Sequence, residues 1–256
     1  MESSFLTLSR KWNNTYIFDS STPCSNLDTP ARCAGRWGGF FVESSSTSWG
    51  QAASFRALSA ARETYGDHDQ DLPGNDTIHL NSSLALTTFP LGISRVPTEK
   101  GNYDMMNSIG LGSNSTLLNA LVSAGDIASK TWALSQGWTG AESSQQMDGS
   151  LVLGGYDMAK VTGNNITLPF SEDQNCISHL IVTITDIKMN LKNGSNPSIL
   201  GSSVGSAIKA CISPDRPVMS LSSDIWGLFV KISGVHEMGR SGGINFWGMS
   251  ISVNGA

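Results

Sequence analysis

The sequence predicts a mainly β protein with a few short helices, and three observations point to this class. Only 14% of the 256 residues are charged, and 27 are glycine. Serine, threonine and asparagine are frequent, a composition typical of short strands joined by tight turns. Short apolar or alternating runs, bounded by Gly, Pro, Asn or Asp, recur along the whole chain. Such runs are the pattern of half-buried or buried strands.

Seven segments carry the strand pattern. The clearest is 179–190, where Leu180, Val182 and Ile184 keep a two-residue period, so that their side chains lie on one face of a strand. The others are 15–18, 38–42, 76–80, 83–89, 149–157 and 165–170.

Two segments predict helices instead. Residues 115–127 begin with Ser and Thr, which favour the N-cap position, and place Leu117, Leu118 and Leu121 on one stripe. Residues 222–232 have the same arrangement. Because both are short, we expect them to connect strands rather than form a helical core.

Charge and composition exclude several classes of function. The net charge is −5 and no run of Lys or Arg occurs, so no nucleic-acid partner is expected. No window has the 18 or so consecutive apolar residues of a membrane-spanning helix. No phosphate-binding glycine loop and no metal-ligand spacing occur, so no cofactor and no metal are expected. We expect a monomer.

The four cysteines are compatible with two disulfides. Cys24 and Cys33 lie in a turn-rich stretch that a short disulfide loop closes easily, which leaves Cys176 and Cys211 as a second pair. Four cysteines allow three pairings, and the sequence does not choose among them.

Six Asn-x-Ser/Thr acceptors favour the secretory route over the cytosol, where the cysteines would remain reduced. The prediction is a secreted or cell-surface protein whose signal peptide is missing from this chain. The six acceptor asparagines are Asn13, Asn75, Asn81, Asn114, Asn165 and Asn193.

The order of several motifs resembles a known family. A Gly-Leu-Gly turn at 110–112, a helix, Trp-Ala-Leu-Ser at 132–135 and Gly-Ser-Leu-Val-Leu-Gly-Gly-Tyr-Asp at 149–157 follow one another. This order resembles the end of the first lobe of a pepsin-like aspartic peptidase (family A1). The segments at 36–41 and 151–157 look closest to divergent members from filamentous fungi.

Other segments extend the resemblance over most of residues 9–230. The segment from Thr64 resembles the flap hairpin, which implies substrate binding by Tyr65, Gly66 and Asp67. Residues 217–229 resemble the segment that follows the second catalytic motif.

The fold implied is an all-β, bilobal pepsin-like acid-protease fold with an incomplete second lobe. We expect an N-terminal lobe with the flap over 1–150, a partial C-terminal lobe over 151–232 and an irregular or atypical tail over 233–256. The chain is therefore expected to be truncated at both ends.

The family's chemistry uses two aspartates that share one proton, so that one activates water and the other donates to the substrate carbonyl. In this sequence the resemblance places Ser9 and Ser213 at the two aspartate positions. A serine hydroxyl is neither a general base near neutral pH nor a carboxylic acid. We therefore expect an inactive pseudo-peptidase that keeps a groove for a peptide or protein.

Two alternatives stay open. Asp19 or Asp215 could serve as acids in a shifted register, which would make the protein an active aspartic endopeptidase. A secreted binding or structural glycoprotein could instead reuse the scaffold without any role in peptide cleavage.

Overall fold

The structure is a computed structural model of the chain. It describes residues 7–21, 38–58, 60–61, 71–95, 107–137, 144, 146–164, 166–173, 175–176, 178–191, 193–200, 207–214, 219–241 and 244–248.

A six-stranded mixed sheet forms the first part of the molecule. The six strands are β1 (Thr7–Ser9), β2 (Thr15–Phe18), β3 (Gly50–Gln51), β4 (Leu72–His79), β5 (Ala85–Ser94) and β6 (Ser108–Gly110). Their order in the sheet is β1-β6-β2-β5-β4-β3. Strands β1 and β6 are parallel, as are β2 and β5, whereas β4 is antiparallel to both of its neighbours. Because β2 is central and all four of its residues are buried, its apolar and polar side chains alike depend on tertiary partners.

One face of this sheet carries the main hydrophobic core. Phe89, Leu91 and Ile93 are every second residue of β5, which puts their side chains on a single face. They are at most 2% exposed and pack with leucines of the first helix. A strand was predicted over 83–89, and the structure extends it to Ser94, so that this stripe includes Leu91 and Ile93 beyond the predicted segment. Burial of the stripe stabilises the sheet.

Helix α1 (Thr116–Ala124) covers the core, as predicted for 115–127. The Ser115 hydroxyl caps it by accepting a hydrogen bond from the Leu118 N–H at 3.2 Å. Gly125 ends it with φ of 81°, a left-handed conformation that glycine adopts without steric cost.

A second, smaller core lies in the following part of the chain. Strands β9 (Ile181–Ile184) and β10 (Ile208–Cys211) form an antiparallel pair, and helix α2 (Ser223–Ser233) lies on the same core. Its buried members are Ile199, Leu200 and Ile225. In the sequence between these two parts of the chain, β7 (Trp132–Ser135) pairs with β8 (Ser150–Leu153). The leucines of β8 pack against the first core.

The tail differs from the sequence expectation. Residues 233–256 were expected to be irregular, but β11 (His236–Ser241) and β12 (Ile244–Gly248) form an antiparallel hairpin. Its register shifts between Glu237 and Gly239, which breaks the strict alternation that signals a strand in sequence. These two strands are therefore regular, and the expectation of an atypical tail stays a prediction.

The Gly-Leu-Gly turn at 110–112 allows the loop after β1 to pack directly on the segment after β6. A Cβ on Gly110 would lie 2.3 Å from the backbone oxygen of Asn14, and one on Gly112 would lie 2.4 Å from Oδ1 of Asn13. No side chain fits at either position. The motif therefore sets the distance between the two loops.

Gly110→Ala is expected to destabilise the fold by about 1–3 kcal/mol, the usual cost of overpacking, because a methyl group would displace backbone atoms. Gly227→Ala is the matched control, since nothing lies within 4 Å of that position inside α2. Alanine there should raise stability by about 0.5–1 kcal/mol. Urea unfolding of the three proteins measures both changes, and equal stability of Gly110→Ala and the parent protein would contradict the packing argument.

Candidate functional site

Ser9 lies at the end of β1 and is 1% exposed. Its carbonyl accepts a hydrogen bond from the Leu111 N–H at 2.7 Å, and its hydroxyl accepts one from the Trp12 N–H at 3.4 Å. The hydroxyl thus helps to close the tight loop that follows the strand.

Two asparagines hold this loop to the first turn of α1. The Oδ1 of Asn13 accepts the N–H of Asn114 at 3.0 Å, and the Oδ1 of Asn14 accepts the Thr116 hydroxyl at 2.5 Å. Asn14 also donates to the carbonyl of Ala61 at 2.8 Å, and the N–H of Ala61 donates to the Thr116 hydroxyl. Because these groups are buried, each hydrogen bond replaces one that water would otherwise make. The loop after β1 is therefore fixed from two sides.

Ser213 lies in the loop that follows β10 and is partly buried. The disulfide between Cys176 and Cys211 anchors this region by joining the end of β10 to a segment 35 residues earlier. The structure thus selects the Cys176–Cys211 pair that the sequence left open. A loop of that length stabilises the folded state by roughly 3–4 kcal/mol in the chain-entropy description.

Ser178 connects the loops that carry Ser9 and Ser213. Its carbonyl accepts a hydrogen bond from Nε of Arg10 at 3.3 Å, and its hydroxyl donates to the carbonyl of Ile212 at 2.5 Å. Phe170 completes the group, because its ring centroid lies 4.3 Å from Cζ of Arg10. We call Arg10, Phe170, Ser178 and Ile212 the Ser178 junction.

The residue that follows Ser178 has an unusual backbone conformation. His179 has φ of 59°, in the left-handed region that non-glycine residues occupy rarely. Three hydrogen bonds hold His179 in this conformation. Its N–H donates to the Cys176 carbonyl, and its own carbonyl accepts from the N–H of Ser171. Its ring Nδ1 also lies 2.7 Å from the Ser171 carbonyl oxygen. Backbone in this region persists only when its surroundings determine it. The direction of the Ser178 carbonyl is therefore fixed by tertiary contacts.

Asp19, an alternative catalytic acid in the sequence analysis, is held in an ion pair with Arg95. It is 4% exposed and accepts hydrogen bonds from Nε of Arg95 at 2.6 Å and from the Ser21 N–H at 2.9 Å. The Arg95 guanidinium also binds Glu43 at 2.6 Å. Burial alone would raise the pKa of Asp19, but the hydrogen bonds from Ser21 and the ion pair with Arg95 outweigh it and lower the pKa.

A shared-proton dyad needs a second carboxyl group within hydrogen-bond distance. The hydrogen-bond partners of Asp19 are Arg95, Ser20 and Ser21. This arrangement keeps the carboxylate ionised and suits a structural role.

A second buried carboxylate, Asp76, is also fully engaged. It is 1% exposed and accepts hydrogen bonds from the hydroxyls of Ser46 and Ser48 and from the Thr77 N–H. These contacts tie the segment before β3 to β4.

Several predicted site residues lie outside the described part of the chain. They are the flap residues Tyr65, Gly66 and Asp67, the pair Cys24 and Cys33, the acceptor Asn165 and the alternative acid Asp215. Ser9 and Ser213 are described, and their assignment to the aspartate positions stays a prediction.

Sequence reasoning missed the role of Arg10. The signal was present, because Arg10 and Lys11 place two cations directly after Ser9 in a chain with only 16 basic residues. The contact partner of Arg10 lies 168 residues away, which no local pattern reveals.

Comparison with solved structures identifies the scaffold. An aspartic proteinase from Irpex lacteus superposes with a TM-score of 0.50 and 17% sequence identity, over 94% of this chain and 70% of that chain. No family model and no curated protein matches the sequence. At this level of identity the likeness concerns the fold, so the chain has a mainly β, pepsin-like scaffold, and the predicted fold class is confirmed.

Two features are absent from the described residues. No helix there is long and apolar enough to cross a membrane. Nor does that part of the chain bring together three or more His, Cys, Asp or Glu side chains in an arrangement able to hold a metal ion.

Asp19→Asn is expected to lower the free energy of unfolding by about 1–3 kcal/mol at neutral pH, because Arg95 and the Ser21 N–H lose a charged acceptor. The folded pKa of Asp19 is depressed, so its stabilisation is present above the unfolded pKa of about 3.9 and is lost as pH falls through the folded value. Urea unfolding of both proteins from about pH 7 down to about pH 3 should show their stabilities converging at acid pH. A constant difference would contradict the ion-pair assignment.

Proposed function

We propose that this protein binds peptides on its pepsin-like scaffold and has no peptidase activity. One observation carries the proposal: the side chain at the end of β1, where the resemblance expects the first aspartate, is the buried hydroxyl of Ser9. Loss of a single acid or base typically costs about 10²- to 10⁴-fold in rate, and with Ser213 at the second position both would be lost.

The contacts of Ser178 support the pairing of the two serines. Arg10 is the residue after Ser9, and Ile212 is the residue before Ser213, and both contact Ser178. The two loops thus approach a common residue, as a bilobal peptidase scaffold requires of its two acid loops. Peptide binding does not require the two acids, because main-chain hydrogen bonds and side-chain pockets supply the affinity.

The alternative of an active endopeptidase in a shifted register has less support. Asp19 is held by an ion pair with Arg95, and its low pKa suits a permanent carboxylate rather than one that exchanges a proton. Asp215 remains a candidate on sequence grounds alone.

Cleavage assays test the proposal. The purified protein should not cleave a denatured protein substrate at any pH between about 2 and 8, because serines stand at both positions where the resemblance expects the acids. Pepsin serves as the positive control. Pepstatin-sensitive cleavage with an acid optimum would contradict the proposal, and its loss in Asp19→Asn or Asp215→Asn would then identify the acid.

A specific observation also favours the secreted glycoprotein as a second candidate. Asn81 and Asn193 are exposed and share one local geometry, in which Oδ1 accepts hydrogen bonds from both the N–H and the hydroxyl of the serine two positions later. Both lie in turns, where an acceptor for N-glycosylation is accessible.

Asn13 differs from these two acceptors. It is 5% exposed and its Oδ1 accepts the Asn114 N–H, so a glycan on it is incompatible with the packed loop. We therefore leave Asn13 out of the proposed glycosylation sites.

Expression through a eukaryotic secretory pathway tests this second candidate. Mass spectrometry of the folded product should show glycans on Asn81 and Asn193 and none on Asn13. Asn81→Gln should remove one glycan, whereas Asn13→Gln should remove none and should instead destabilise the loop by about 1–3 kcal/mol, because the longer side chain does not fit the buried position. A glycan on Asn13 of the folded protein would contradict the burial argument.

A further inference from the structure

Arg10 is a partly buried cation whose charge is not neutralised within the described part of the chain. Its one hydrogen bond there runs from Nε to the Ser178 carbonyl, and no carboxylate forms an ion pair with it. The two terminal NH₂ groups of the guanidinium therefore remain available. Arg95 provides the contrast within the same chain, because its guanidinium binds both Asp19 and Glu43.

Burial of Arg10 has an electrostatic cost. Removal from water lowers the pKa of its guanidinium, and burial is the cause of this shift. The guanidinium stays charged even when it is partly buried. Within the described residues no counter-charge compensates for its partial loss of hydration. An incoming anion would supply that compensation.

The surroundings of Arg10 orient its free groups. The guanidinium carbon lies over the Phe170 ring at 4.3 Å from its centroid, a cation–π contact that uses no N–H hydrogen bond. With Nε already bound to Ser178, the two terminal nitrogens present a pair of donors that matches the two oxygens of a carboxylate.

Exposed apolar side chains flank this pair of donors. Phe170 is 63% exposed and Ile212 is 49% exposed, and both belong to the Ser178 junction. An apolar surface beside a cationic fork fits a peptide in which an apolar side chain lies next to a carboxylate. The overall charge of −5 disfavours anions in general, so any preference for a carboxylate must come from local groups.

We propose that the Ser178 junction is a carboxylate-binding subsite in which Arg10 holds a peptide carboxylate through its two terminal nitrogens while Phe170 and Ile212 contact the adjacent apolar side chain. The inference rests on the peptide-binding function proposed above and names the ligand chemistry.

Fluorescence anisotropy with matched peptides tests the subsite. Three N-terminally labelled apolar peptides are compared. The first two share one sequence and differ only at the C-terminus, which is a free carboxylate in one and an amide in the other. The third is the amidated peptide with one residue replaced by Glu. The free acid should bind about 10- to 100-fold more tightly than the amide, the difference expected for a charge-assisted hydrogen-bonded pair. The affinity of the Glu peptide, compared with that of the free acid, shows whether a side-chain carboxylate binds as well as a C-terminal carboxylate.

Variants assign the effect to Arg10. Arg10→Gln should remove the preference for the free acid, and Arg10→Lys should retain part of it, because lysine keeps the charge without the paired donors. Arg56→Gln is the matched control, since Arg56 is exposed on the short 3₁₀ turn Phe55–Leu58. It should leave all three affinities unchanged.

The possible outcomes separate the two proposals. Equal binding of all three peptides to the parent protein would overturn the carboxylate subsite and leave peptide binding intact. Absence of binding by any of the peptides would overturn both. If Arg10→Gln does not fold, judged by circular dichroism, the comparison of the acid with the amide on the parent protein and on Arg10→Lys still decides the question.

Discussion

The close approach of two loops, made possible by the glycines at 110 and 112, is the constraint on which the rest of the first sheet depends. With no side chain at either position, the loop after β1 lies against the start of α1, and Asn13 and Asn14 become buried. Burial of two amide side chains is tolerated because each has hydrogen-bond partners from the opposite loop. Removal of either element would leave the other with unpaired polar groups, so the two form one cooperative unit.

This constraint also determines what the site can do. Ser9 lies at the entry of the packed loop, where its hydroxyl accepts the Trp12 N–H, and the following residue extends to Ser178 in the second part of the chain. Two buried acids, Asp19 and Asp76, are held by an arginine and by hydroxyl groups in structural roles. Negative charge is thus used to hold segments together, while the loop after β1 carries positive charge.

Local sequence patterns predicted both α-helices and, at least in part, five of the twelve strands of the described residues: β2, β4, β5, β8 and β9. The segments 38–42 and 165–170 also carried the strand pattern, but their described residues form no strand. The Ser115 cap and the leucine stripe of α1 are properties of neighbouring residues, so they are readable without a fold. The hairpin of β11 and β12 was missed because its bulge interrupts the alternation. The flap, recognised by resemblance, stays a prediction, since Tyr65 lies outside the described residues.

The sequence by itself determined the mainly β class, the short capped helices, the glycine turn and the presence of serines where the resemblance expects acids. Only the tertiary structure decided that Cys176 pairs with Cys211, that Asn13 is buried, that Asp19 binds Arg95 and that Arg10 contacts Ser178. The physical reason is range: a cap or a strand period involves residues within a few positions, whereas these contacts join residues from 35 to 168 positions apart or depend on such contacts. Their partners are set by how whole loops pack, which no short segment encodes alone.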